Sequence, residues 1–449
     1  MSFVISATVM QTPARDRLSI LDAVVAVDDD GVITAVAERT AAAGQALLRD
    51  AAAAFTRVVD VPANAVLLPG LVDLHVHAPQ WPQLGTGLDV PLERWLFEYT
   101  FPLEARYADA SFAASVWPDL VGSLLRHGTT TAVYFATNDT AATTALAATA
   151  SVLGQRAFVG RVAMDHPQGT PEWYRDHSAS AGVAASAASI DAIRAVDGGH
   201  GLVRPIITPR FTPACTDALL QGLGELAAAT DVLVQTHCSE SDWAHGYAID
   251  RFGCTDAAAL DRFGLLRDGS VLAHANHVTD DDAALLVGHG SGIAHCPLSN
   301  AYFANAVLPV RRLLDREVRI GMGTDIAGGA SPSLMRQCHD AVTMSRLLTD
   351  GVDAGRAPRS RGVGGSAIDT TTAFWMATLG GADLLGVPAG LLAPGRRFDA
   401  VLVDISGGAN DLRVWPGIDD PARTFEKIVR LAGPADICGV WVDGRRVVG

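Results

Sequence analysis

Residues 69–77 read Pro69-Gly70-Leu71-Val72-Asp73-Leu74-His75-Val76-His77, and the architecture can be built up from them. Pro-Gly punctuates the chain, and the short apolar run behind it describes a buried strand. Side chains two apart on a strand share a face, so the imidazoles of His75 and His77 point the same way. Beyond this stretch, seven further short runs with strand character fall at 130–136, 158–164, 203–208, 232–237, 271–274, 292–295 and 319–323, separated by Ala- and Leu-rich helical stretches. Strand and helix in alternation are the pattern of βα units around a parallel sheet, and eight such units close into a (β/α)8 barrel. Function in that fold collects at the C-terminal ends of the strands.

Polar groups stand at those ends. The fifth run stops at His237, the sixth at His274, and Asp325 follows Gly321-Met322-Gly323-Thr324 just past the eighth. Imidazole nitrogen and carboxylate oxygen are the ligands Zn²⁺ prefers, and a position left open for water marks a catalytic centre. Taken singly these residues say little: a His-x-His pair is usually an accident of composition, and an Asp after Gly-Thr is usually a turn or a cap. Jointly, four elements place His or Asp at the same end of their strands, and that points to a metal. Glu240, three residues past His237, is placed to carry a proton between a water and a leaving group. It reads equally well as an ordinary first-turn acid at a helix N-terminus. Water held between a cation and a carboxylate base loses its proton near neutral pH, so the set suits hydrolysis. His127, His166, His177, His200, His245, His289 and His339 follow no such rule and read as surface or core residues; His277 and His295, nearer the site, take the same reading.

Composition bounds the partner. The 449 residues are 49% hydrophobic and 18% charged, enough apolar material for a large core. Lys plus Arg number 34 and Asp plus Glu 49, a net charge of −15 that disfavours nucleic acid and anionic membrane. No leader-like N-terminus and no membrane-length apolar run is apparent, so a cytoplasmic protein with a small-molecule substrate is the expectation. The six cysteines are scattered without a C-x-x-C, which suits a reduced chain. Lys427 is the one lysine. Residues 23–36 read as a hairpin turning at Asp28-Asp29-Asp30-Gly31, 400–403 as a strand, and 439–448 as a hairpin around Asp443-Gly444. The expected organisation is a barrel over 69–389, with 1–68 and 390–449 forming one small β-rich module and 350–365 a surface loop.

The chain resembles the amidohydrolase superfamily and, within it, the guanine deaminase branch. Residues 69–77 are similar to the superfamily's first-strand signature and Gly323-Thr324-Asp325 to its last. The narrower likeness runs through Ala78-Pro79-Gln80, Asp89-Val90-Pro91-Leu92, Trp95-Leu96 and Tyr99-Thr100-Phe101-Pro102-Leu103-Glu104-Ala105-Arg106. It continues through Thr208-Pro209-Arg210-Phe211, Ala294-His295-Cys296-Pro297 with Ser299-Asn300, and Ala377-Thr378-Leu379-Gly380-Gly381-Ala382. What it implies is a TIM-like barrel with a composite β-sandwich, and Zn²⁺ held by His75, His77, His237 and Asp325. His274 then holds the water or substrate, or counts as a further ligand. Gln80 and Arg210 are implied to hydrogen-bond the purine edge, Phe211 and His237 to border the base, and Glu240 to shuttle the proton while Asp325 and His274 position the nucleophile.

Related two-metal barrels bridge their ions with a carboxylated lysine on the fourth strand; 203–208 has none, so one ion is expected. Iron or another divalent metal shares these ligand types. The implied reaction is hydrolytic deamination of guanine, a free purine base, to xanthine and ammonia, by a homodimer. Ser241, where relatives often carry Asn, and the run 299–305 depart from the pattern. They keep 8-oxoguanine, a pterin or a triazine open as the substrate. The reading from another class is a catalytically inactive barrel scaffold, which has no need of the complete His/Asp set. The H-x-E with P-C-x-x-C pattern of cytidine-type deaminases is absent.

Overall fold

In a computed structural model of the chain, which describes residues 2–59, 61, 62, 64–407 and 411–449, the barrel strands are Leu71–His77, Thr129–Phe135, Arg156–Gly160, Val203–Pro205, Gln235–Cys238, Val271–His274, Gly292–His295 and Arg319–Met322. They pair in parallel as two runs of four, first to fourth and fifth to eighth. Separate bonds close the two seams. Ile207 N–H donates to Leu233 O and Gln235 N–H to Ile207 O at one, while Asp325 N–H donates to His75 O and His77 N–H to Ile326 O at the other. Helices follow the strands, and Asp109, Asp139, Ser178, Thr216, Ser241, Thr255, Thr279 and Ser333 each accept a first-turn N–H as N-cap.

Three strands depart from the expected spans by more than one residue. The stretch 203–208 is not continuous: between Val203–Pro205 and Thr208–Pro209 the chain changes partner, Ile206 N–H donating to Val159 O on the third strand and Ile207 N–H to Leu233 O ahead of the fifth. The third strand stops at Gly160 and resumes as Val162–Ala163, with the Arg161 guanidinium turned to Asp176. The fifth begins three residues later than 232 and runs to Cys238. The stretch 350–365 is mostly irregular and exposed, and includes the one-turn helix Pro358–Arg361.

Both chain ends build one eight-stranded sheet, in the spatial order 445–448, 437–442, 400–404, 65–69, 3–14, 17–27 and 33–38, with Arg57–Val59 paired to Phe3–Ala14. The two expected hairpins are present, and Asp443 and Gly444, at φ 47° and 71°, make the left-handed turn that suits the strand twist. Phe3–Ala14 was not anticipated as a strand. Its segment Ile5-Ser6-Ala7-Thr8-Val9 alternates apolar with polar residues and burial alternates with them, but the apolar pairs Phe3-Val4 and Val9-Met10 on either side blur that period. Ala65 and Leu67 face the sheet's own core with Phe3, Phe398 and Trp441, while Val66 and Leu68 face the barrel's outer core, the two-residue period at work. No helix among the described residues is long and apolar enough to cross a membrane.

One buried cation ties sheet to barrel. Arg156, on the third strand, donates to Asp399 Oδ1 at 3.3 Å and to Asp443 Oδ1 at 2.5 Å, and Asp443 N–H donates to Asp399 Oδ1 at 2.8 Å. Removing the guanidinium leaves the fully buried Asp399 carboxylate with the Asp443 N–H but without a counter-charge. Arg156→Met should therefore cost about 3–5 kcal/mol in chemical denaturation; a loss below about 1 kcal/mol would place the coupling elsewhere.

Candidate active site

The first strand carries a register shift between Asp73 and Val76 against its neighbour. Val72 and Leu74 lie in an apolar plug with Val133, Phe158, Ile206 and Val271, and the shift lets His75 and His77 follow them toward the upper mouth of the barrel. Gly323, across the same seam from the first strand, permits this close approach: a Cβ there would lie 2.8 Å from Cys296 Sγ and 2.9 Å from His75 Cβ.

At that mouth the expected groups converge. His75 Nε2 is 3.2 Å from Asp325 Oδ1, His77 Nε2 is 3.7 Å from the same oxygen, and His77 Nε2 and His237 Nε2 are 2.9 Å apart. His274 Nε2 lies 3.9 Å from Asp325 Oδ2 and 3.7 Å from Glu240 Oε1. Three triads, His75/His77/His237, His75/His274/Asp325 and His237/Glu240/His274, have donor atoms within 4.8 Å of one another. Burial holds the imidazoles of His75, His77 and His237 well below the usual histidine range, so they are neutral lone-pair donors. Burial pushes the Glu240 carboxyl up, and the negative charge of Asp325 adds to this; burial raises Asp325 too. Both nitrogens of His75 and Nε2 of His274 are buried with no hydrogen-bond partner among the described residues. Stranded nitrogens beside a buried carboxylate form a donor set that fits a divalent metal, whose charge would hold that carboxylate ionised.

Hydrogen-bond polarity fixes two of the tautomers. His237 Nδ1 is 2.5 Å from Arg210 O, which only accepts, so Nδ1 donates and Nε2 keeps its lone pair. For His274 the logic runs through three residues. Glu240 O accepts from Asn276 Nδ2 at 2.9 Å, Asn276 Oδ1 accepts from Asn300 Nδ2 at 2.8 Å, and Asn300 Oδ1 faces His274 Nδ1 at 2.9 Å. A carbonyl at one end sets every donor along the chain, so His274 Nε2 must present its lone pair. Asn300 was visible only as part of a motif, and Asn276 carried no signal; neither announces a role until the sixth and seventh strands are side by side.

Glu240 is not a first-turn acid. The helix after it is Asp242–Phe252 with Ser241 as N-cap, and the Glu240 side chain lines the pocket. Gln80, Arg210 and Phe211 line the same pocket, with Leu92, Trp95 and Phe303 as apolar walls. Phe135, on the second strand, packs its ring 4.7–4.8 Å from those of His75, His77 and His237 and was not singled out by its sequence context. His295 is a buried neighbour of His274, pushed down to about 3 by burial, and His277 hydrogen-bonds Ala304 O; neither joins the triads. Lys427 binds Arg413 O and Asp419 in the C-terminal segment.

Comparison with known proteins agrees with this geometry. Residues 66–447 match the profile of the Amidohydrolase family. A probable guanine deaminase of Schizosaccharomyces pombe is 36% identical over 393 residues, 85% of this chain and 71% of that one. The crystal structure of a guanine deaminase from C. acetobutylicum, with guanine bound in its active site, superimposes with a TM-score of 0.87 at 27% identity, covering 99% of this chain and 100% of that one. A zinc-bound adenosine deaminase from Xanthomonas campestris superimposes with a TM-score of 0.81 at 26% identity, over 99% and 92% of the two chains.

The backbone around the donors is left-handed at four non-glycine residues, Ser239 (φ 44°), His274 (69°), Ala275 (52°) and Asp325 (51°). Asp256 holds the first of these, accepting from Ser239 N–H at 2.8 Å. Burial pushes the Asp256 carboxyl up to about 6. The folded state therefore binds a proton that the unfolded chain has already released, and stability falls as pH rises from the ordinary carboxylate range through about 6, by about 3 kcal/mol in all. Asp256→Asn keeps the acceptor and loses the titration. Thermal denaturation of the two proteins should show the difference moving in the variant's favour across that window and flat above it; parallel curves would mean Asp256 titrates normally.

Proposed function

The chain belongs to the amidohydrolase family, and from that premise we propose that it hydrolyses guanine to xanthine and ammonia at one divalent metal ion, zinc by the chemistry of its donors. The observation that carries the reading is the convergence of four imidazoles and Asp325 beside a pocket with an aromatic wall, a guanidinium and a primary amide. The relatives' activity favours guanine over 8-oxoguanine, a pterin or a triazine.

In this reading His75, His77, His237 and Asp325 would hold the ion, and His274 stands beside them. Such an ion, when bound, lowers the pKa of water to about 7 and so supplies a nucleophile at neutral pH. Asp325 and His274 Nε2 orient the attacking water toward C2 of the base. Glu240 accepts one water proton and delivers it to the adjacent ring nitrogen. The tetrahedral carbon then collapses: the remaining hydroxyl proton passes through the carboxylates to the amine, the C2–N bond breaks, and ammonia leaves as the new carbonyl forms. Arg210 and Gln80 donate toward the purine carbonyl edge, and Phe211 gives the flat ring a partner of matching shape.

Glu240→Gln should keep the metal, by elemental analysis, and lose about 10²–10⁴ in kcat, because a neutral amide takes no proton; near-normal ammonia release would remove Glu240 from the mechanism. Arg210→Ala should raise the KM for guanine while sparing metal content, and unchanged kinetics would dismiss its contact with the base. Ammonia release from a pterin or triazine but not from guanine would reassign the substrate.

A further inference from the structure

Glu104 lies just behind the pocket and none of its atoms faces it. Its side chain is fully buried, and each of its oxygens accepts twice. Oε1 takes Gln80 Nε2 at 2.9 Å and an Arg210 amino group at 3.0 Å; Oε2 takes the other Arg210 amino group at 2.5 Å and the Tyr174 hydroxyl at 2.9 Å. Four bonds fill the roughly four lone-pair sites of a carboxylate, so Glu104 has nothing left for a ligand and acts only through its neighbours.

Those neighbours are the two polar groups assigned to the base. Gln80 is held at both ends, since its Oε1 also accepts from Ala327 N–H at 3.1 Å; flipping the amide would set donor against donor on one side and acceptor against carboxylate on the other. One N–H of Gln80 stays free for the pocket. Arg210 spends two of its five N–H groups on Glu104, and its guanidinium rests on the face of Phe101 at 4.8 Å, so the orientation of the rest is set. The pair is 2% and 0% exposed, and its net charge is zero. Glu240 is the other carboxylate that acts on Arg210; Tyr174, His77 and His237 are its remaining titratable neighbours, each displaced by burial toward its neutral form.

We propose that Glu104 is a positioning residue that sets specificity: it decides which donors Gln80 and Arg210 present, and it cancels the guanidinium charge so that the pocket takes a neutral base in preference to an anion. The inference rests on the reading of Gln80 and Arg210 as base contacts. Without the carboxylate, a buried guanidinium lacks its counter-charge and draws an anion instead.

The test uses the metal-loaded protein and two ligands, guanine for kinetics and xanthine for equilibrium binding, because xanthine gives up a proton near neutral pH. In Glu104→Gln the KM for guanine should rise about 30-fold while kcat falls less than about threefold, the signature of lost binding rather than lost chemistry. By calorimetry, wild-type affinity for xanthine should fall as the ligand ionises, and the variant's should rise. A variant with the wild-type pH trend, or with kcat lowered and KM unchanged, overturns the proposal. Tyr174→Phe, which keeps the charge and removes one donor, covers the case in which the first variant does not fold. Its KM should rise about threefold with the wild-type pH trend retained, and an unchanged KM overturns the proposal equally. Wild-type protein that binds neither purine defeats the reading on which the inference rests, and does so before any variant is made.

Discussion

The carboxylate of Asp73 reaches across the seam between the first and last barrel strands and accepts from Thr324 N–H at 2.9 Å, Thr324 Oγ1 at 2.6 Å and His75 N–H at 3.2 Å. Burial pushes its acid up to about 7 against the pull of those three donors. No regular ladder joins these two strands, so the seam relies on side-chain and isolated backbone bonds. His75 and His77 belong to one side of it and Asp325 to the other. Their 3.2 Å approach exists only because the seam is closed here, and an unpaired carboxylate at this depth would be costly enough to open it.

The mouth of the barrel is a site of deliberate expense. Nitrogens of buried imidazoles are left without hydrogen-bond partners among the described residues, and several non-glycine residues hold left-handed backbone to aim the donors. The surrounding structure meets that cost with fully bonded groups: Asp73 at the seam, the Asn276–Asn300 chain behind His274, and Glu104 behind the base pocket. Arg210 serves both halves at once. Its carbonyl orients His237 and its guanidinium faces the pocket, so metal geometry and base geometry share one residue.

Much of this was legible from the chain. His75 and His77 could be paired because a two-residue period is local, and His237, His274 and Asp325 could be joined to them because a barrel brings all its strand ends to one mouth. Other features were not. Phe3–Ala14 hides as a strand because its alternation spans only Ile5-Ser6-Ala7-Thr8-Val9, with apolar pairs at either side that blur the period. The fourth strand reads as continuous because nothing local says that Ile206 and Ile207 will bond to different neighbours. Glu104 sits in a recognisable motif, yet an acid in a helical segment is usually solvated; nothing local says that Gln80, Tyr174 and Arg210 will surround it.

Residue order therefore settles what repeats over a few positions: strand and helix periods, caps, turns, and the kinds of donor standing at each strand end. Folding in three dimensions settles what depends on distance between remote positions. Which lone pair an imidazole offers, whether a carboxylate is solvated or saturated, and where a charge is cancelled all follow from groups dozens to hundreds of residues away. Hydrogen-bond polarity and desolvation act through space, and they have no value until the barrel has closed.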